Sequence, residues 1–207
     1  MDIRPLGIEG AWAFTPRQFR DDRGVVLEWY RHEGLAEHVG HPLDLRQANC
    51  SVSSAGTLRG VHFADVPPGQ AKYVTCVRGA VVDVVVDVRV GSPTFGAWEA
   101  VRLDETDRTA VYLSEGLGHA FAALTDDATV VYLCSKVYTP AAEHGITPLD
   151  PDLAVDWASF GVGQPLLSPK DAAAPTLAQA RDSGLLPRYV ACLERRRALA
   201  ARSGASA

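Results

Sequence analysis

The sequence is poor in the features that mark the simplest functional classes. Its four cysteines, Cys50, Cys76, Cys134 and Cys192, never fall in a C-x-x-C spacing, so neither a zinc knuckle nor a dithiol redox motif is indicated. No two of its six histidines stand one residue apart, and the His-x-His pair typical of metal-dependent β-barrel enzymes is missing. There is no basic excess. Twenty Lys and Arg against 25 Asp and Glu give a net charge of −5, which offers no long-range attraction for nucleic acid. A local group of Arg and Lys can still hold a nucleotide. No apolar run approaches a membrane span, and Met1-Asp2-Ile3-Arg4-Pro5 lacks the apolar core of a secretory signal. The expectation is a cytoplasmic protein. No repeat or low-complexity stretch interrupts the 207 residues, and 47% hydrophobic content suits one globular core.

What is present is a succession of short β-branched and aromatic segments. Strands are expected over residues 12–14, 25–30, 45–53, 58–63, 72–77, 81–88, 98–103, 111–113, 116–121 and 130–137, with turn residues about every ten positions. Pro67-Pro68-Gly69 reads as one such turn. This spacing predicts an all-β sandwich or barrel and not alternating βα units. Helices are expected at 32–39, at 176–183 with Gly184 as C-terminal cap, and at 189–201. Residues 16–23 read as a polar connection, 140–168 as loop, and 200–207 as a frayed tail. Arg195-Arg196-Arg197 reads as a solvated helix face. Residues 1–190 form one domain in this reading, and 191–207 a partly helical or frayed tail.

Several polar residues fall inside these apolar segments. Arg59, His62 and Lys72 sit on neighbouring strands, and burying them is costly unless they are paired or functional. Arg59 and His62 are an odd number apart, so a regular strand turns them to opposite faces. Either a bulge at Gly60 realigns them, or only one enters a site. Gln47 and Asn49 share a face at period two, toward either a ligand or solvent. Arg23, in the turn Asp21-Asp22-Arg23-Gly24, either pairs with its acidic neighbours or offers its guanidinium to a phosphate. Cys76 and Cys134 fall inside strands, where buried free thiols are expected.

Six segments in one collinear order resemble the dTDP-4-dehydrorhamnose 3,5-epimerase family. They are Arg59-Gly60-Val61-His62-Phe63, Gln70-Ala71-Lys72-Tyr73-Val74, Arg78-Gly79-Ala80, Gly91-Ser92-Pro93-Thr94-Phe95-Gly96, Gly118-His119-Ala120-Phe121 and Pro165-Leu166-Leu167-Ser168-Pro169-Lys170-Asp171. The resemblance implies a cupin jelly-roll barrel and a cofactor-independent epimerase with no bound metal. Its substrate is then a dTDP-4-keto-6-deoxyhexose, in deoxysugar biosynthesis for antibiotics or cell surfaces. It also implies a homodimer in which an N-terminal strand, here 25–30, crosses to the partner. The matching residues are His62 as base, Asp171 as the carboxylate holding it, Lys72 beside the carbonyl and Tyr132 as acid on the opposite face. Arg23, Glu28, Gln47, Asn49, Arg59, His119, Tyr138, Glu143 and Lys170 match ligand-binding positions. One departure is Val26, where the family usually carries a Phe that stacks on the thymine.

The chemistry requires these roles. A carbon beside a ketone gives up its proton because the carbanion delocalises onto the ketone oxygen. A base on one face, an acid on the other and a cation at the enolate oxygen complete the reaction. Inversion at C3, at C5 or at both is possible, and C3 is the expectation here. Two rival classes remain. One is a metal-dependent cupin, for which His119 is the only plausible second ligand beside His62. The other is a catalytically silent sugar-nucleotide binder.

Overall fold

The strand richest in β-branched residues, Ala80–Val86, is buried on both faces. One face, with Val81 and Val85, joins an interior core that includes Leu103, Val111 and Phe121. The other, with Val82, Val84 and Val86, meets a second apolar layer containing Trp157, Leu177 and Leu186 from the C-terminal third. A near-continuous valine run is what a strand covered on both sides requires.

The computed structural model describes residues 1–204. In chain order its elements are β1 (Asp2–Pro5), β2 (Ala11–Thr15), β3 (Gln18–Asp21), β4 (Gly24–Leu27), α1 (His32–Val39), β5 (Gln47–Ser53), β6 (Leu58–Ala64), β7 (Lys72–Arg78), β8 (Ala80–Val86), β9 (Trp98–Asp104), β10 (Ala110–Leu113), β11 (Gly118–Ala123), β12 (Ala128–Cys134), β13 (Glu143–Gly145), α2 (Pro169–Ala172), α3 (Leu177–Asp182) and α4 (Tyr189–Gly204). Two antiparallel sheets, ordered β1-β2-β10-β7-β12-β5 and β13-β6-β11-β8-β9, face each other across the core. This is the jelly-roll barrel expected. β3 and β4 form a separate two-stranded hairpin.

The helices follow local capping chemistry. Thr176 and Gln179 close a reciprocal capping box on α3, and Gly184, at φ +75°, ends that segment. α4 buries Cys192 and Leu199, and its Arg196 pairs with Glu9. It runs through Gly204, so residues 200–204 are ordered helix and not a frayed end. Residues 205–207 lie outside the described residues. No helix among the described residues is long and apolar enough to cross a membrane.

Three further expectations need correction. The polar segment 16–23 contains a strand, β3, whose backbone pairs with β4 while its side chains stay largely exposed. The strand expected over 25–30 ends at Leu27, because the rings of Trp29 and Tyr30 turn to pack on Tyr73. The loop 140–168 contains β13, which adds an edge to the five-stranded sheet.

The register of β6 resolves the Arg59–His62 question. His119 faces His62 and Phe121 faces Arg59, so β6 takes three steps where β11 takes two. The extra residue is a bulge, and Gly60 occupies it at φ +124°. A Cβ there would lie 2.6 Å from both Ala120 Cα and the His119 carbonyl oxygen. Gly60→Ala is therefore expected to lower the unfolding free energy by about 3 kcal/mol, measured as a shift in the urea midpoint at unchanged m-value.

Candidate active site

The bulge turns Arg59 and His62 into one cavity of about 460 Å³ at the mouth of the barrel. The five-stranded sheet contributes Arg59 and His62 from β6 and Glu143 from β13. The six-stranded sheet contributes Gln47 and Asn49 from β5, Lys72 from β7 and Tyr132 from β12. Strand register explains the second group. Tyr132 lies directly opposite Asn49, and Cys134 lies between Gln47 and Lys72 on its two neighbours. Directly paired residues share a face, so all five side chains turn the same way.

Asp171 arrives from the far end of the chain. Leu166 bonds back to Gly56 and Leu58, which lays the C-terminal segment along the start of β6. Ser168 then caps α2, accepting from the Asp171 N–H at 3.1 Å, with Pro169 in the first turn. Lys170 and Asp171 thereby reach the cavity, and Asp171 Oδ1 lies 2.7 Å from His62 Nε2. A carboxylate only accepts, so Nε2 carries the hydrogen and Nδ1 is left free to take a proton. Burial pushes the Asp171 carboxyl up, but the His62 hydrogen bond and charge, with Ser168 and the Gly60 N–H, bring it below the ordinary carboxylate value. Gly145 stands opposite His62 on β13, where a Cβ would lie 3.4 Å from the imidazole.

Across the cavity, burial raises the Tyr132 phenol above its usual value, with Arg59 and an Asn49 hydrogen bond opposing. The phenol is thus protonated at neutral pH and able to act as an acid. A hydrogen-bonded chain organises this wall. The Tyr138 N–H donates to Gln47 Oε1 at 2.8 Å, and Gln47 Nε2 donates to Asn49 Oδ1 at 2.9 Å. Burial pushes the Cys134 thiol up to about 11, so it stays neutral near Lys72. Arg59 is steadied by Ser53 Oγ at 3.2 Å.

Three of the expected residues do not line this cavity. His119 is the cross-strand neighbour of His62, but it is buried and bonded to Asp83 at 2.6 Å. Arg23 is largely exposed on the β3–β4 turn, paired with Asp21 at 2.6 Å. Glu28 follows β4 and pairs with Arg31. Conversely, Gln70, His144 and Ser168 line the cavity and were not singled out as site residues. Gln70 precedes Lys72 at period two and Ser168 opens the Ser-Pro-Lys-Asp cap, so both carried a signal; His144 carried none. Among the described residues no group of three His, Cys, Asp or Glu side chains is arranged to hold a metal ion.

Comparison with known proteins matches residues 5–179 to the family described as dTDP-4-dehydrorhamnose 3,5-epimerase. The chain belongs to that family. A dTDP-4-dehydrorhamnose 3-epimerase of Streptomyces niveus is 63% identical over 93% of this chain and 91% of its own. A dTDP-4-dehydrorhamnose 3,5-epimerase of Mycolicibacterium smegmatis is 57% identical over 93% of this chain and 94% of its own. The solved structure of a 3'-monoepimerase from Streptomyces bikiniensis, in complex with dTDP-quinovose, superimposes with a TM-score of 0.91. It is 55% identical and covers 95% of this chain and 98% of that one. The cupin barrel and the sugar-epimerase class follow from these likenesses.

The depressed Asp171 carboxyl sets a stability test. Its contribution is present above the unfolded-state carboxylate pKa, about 3.9, and is lost as pH falls through the lower folded value. The gap in unfolding free energy between wild type and D171N should therefore be widest near neutral pH and close below about pH 4, as read by urea titration across pH.

Proposed function

We propose that this protein inverts C3 of a dTDP-4-dehydro-6-deoxyhexose, using side chains alone. The observation that carries the reading is the placement of base and acid on opposite sheets: the Asp171-held His62 faces Tyr132 across the cavity, with Lys72 lining the same space. Nδ1 of His62 takes the proton from the carbon beside the ketone. The Lys72 ammonium stabilises the enolate oxygen, and the Tyr132 phenol protonates the opposite face. Arg59, Gln47, Asn49, Tyr138, Glu143 and Lys170 surround the nucleotide sugar, and His119, behind His62, fixes the floor through Asp83. The relatives named as 3-epimerases support C3, and a silent binder has no need for a held imidazole opposite a protonated phenol.

Proton NMR of the 4-keto sugar nucleotide in deuterated water reads this directly. Deuterium should enter at C3, and entry at C5 or at both would reassign the regiochemistry. No incorporation at either carbon would sink the enzyme reading. His62→Asn should lower exchange by about 10²-fold or more while dTDP affinity changes little.

The active unit in this proposal is a homodimer with hairpin exchange. The β3–β4 hairpin pairs with neither sheet of its own chain. Phe19 and Val26, opposite each other on it, are 56% and 71% exposed. An isolated hairpin is marginal in water, and β5 offers a free sheet edge with Val52 exposed. A partner's hairpin on that edge brings Arg23 and Glu28 toward the nucleotide, with Val26 supplying a smaller apolar contact than an aromatic ring. Mixing inactive His62→Asn and Arg23→Ala chains should then restore activity at about a quarter of the sites. A fully active monomer, or no complementation, excludes shared sites.

A further inference from the structure

Each turnover of an epimerase with one base and one acid leaves the two groups mismatched. His62 holds the proton taken from carbon, and Tyr132 lacks the one it gave. Epimerisation cannot repeat until a proton returns from imidazolium to phenolate. His62 and Tyr132 stand on opposite walls of the cavity, so the proton returns either through solvent or through a side chain placed between them.

The cavity wall holds two carboxylates, Glu143 and Asp171. Asp171, on α2, is committed to His62 Nε2. Glu143 is placed differently. On β13 it lies opposite Ala64, while Gly145 lies opposite His62. Ala64 and His62 share a face of β6, so Glu143 is the diagonal neighbour of His62, with Cβ atoms about 7 Å apart. Gly145 has no side chain to intrude between them. We propose that Glu143 carries the proton from His62 back to Tyr132 between turnovers.

The steps balance without any other reactant. The imidazolium N–H breaks as the Glu143 carboxyl O–H forms; that O–H then breaks as the Tyr132 phenol O–H forms. Imidazole, carboxylate and phenol end as they began. The electrostatics suit a relay. Burial pushes the Glu143 carboxyl above its ordinary value, against Lys72, His62, Lys170 and His144, and so toward the imidazole range. Its charge also acts on Tyr132, adding to the rise of the phenol. A relay group works best when its proton affinity is drawn toward those of donor and acceptor.

The inference rests on the epimerase reading, and the test separates the two. In E143Q, rapid-quench kinetics with saturating dTDP-4-dehydro-6-deoxyglucose should show a first-turnover burst with an amplitude of about one per site. A steady phase about 10²-fold slower should follow. Added acetate or formate, small enough to stand in for the missing carboxyl, should restore the steady phase without altering the first turnover. Equal loss of both phases with no response to added acid, a rise in KM alone, or unchanged steady turnover would each overturn the relay and leave the epimerase reading intact. Wild-type protein that exchanges no deuterium overturns both.

Discussion

The active cavity depends on one extra residue in one strand. On a regular β6, Arg59 and His62 would lie on opposite faces of the sheet, and a guanidinium would be driven either into the apolar layer around Trp157 or out of the site. The bulge at Gly60 removes that conflict, and its geometry admits no side chain. The same residue's N–H bonds to Asp171, so the bulge that aims His62 also helps charge its partner. Backbone conformation, side-chain direction and carboxylate ionisation are here a single structural fact.

The two-sheet architecture then supplies what the proposed inversion needs. A group that removes a proton and a group that returns one to the opposite face must approach from opposite directions, and a barrel mouth provides two walls facing each other. The five-stranded sheet carries the imidazole and the six-stranded sheet carries the phenol and ammonium. Burial keeps the phenol protonated, and the acceptor-only Asp171 fixes which imidazole nitrogen is free.

Much of this was legible in the sequence because strand period and turn chemistry are local. Helix 32–39 has a stop signal in Gly40, and the helix after Thr176 carries both a capping box and a closing glycine, Gly184. Motif order also singled out His62, Lys72, Tyr132 and Asp171 as candidates, and the fold brings all four to one cavity. What local patterns could not show is long-range choice. Arg23 pairs with Asp21 on its turn, as one of its two readings had it, and a single chain does not say what else it touches in a dimer. The Gly-Ser-Pro-Thr-Phe-Gly motif was one of the six segments carrying the family resemblance, and its Ser92 and Thr94 hydroxyls donate to Asp87 at 2.6 and 2.7 Å. That carboxylate also holds the buried Arg89 at 2.8 Å. The motif is a structural clamp outside the cavity lining, and no spacing rule separates a clamp from a binding loop.

The contrast between these two carboxylate clusters explains where the fold tolerates polarity. Asp87 has every oxygen engaged by Arg89, Ser92 and Thr94, so its burial is compensated and its role ends with stability. The cavity at the barrel mouth is built the other way. Glu143 is raised by burial that four nearby cationic or titratable side chains do not fully offset, and Tyr132 is likewise held away from its ordinary value. A site that must pass protons cannot have every polar group saturated, since a fully satisfied network has no acceptor left to receive one. Compensation is thus incomplete at the barrel mouth, where the proposed reaction has protons to move, and complete around Asp87, which ties Arg89 to Ser92 and Thr94.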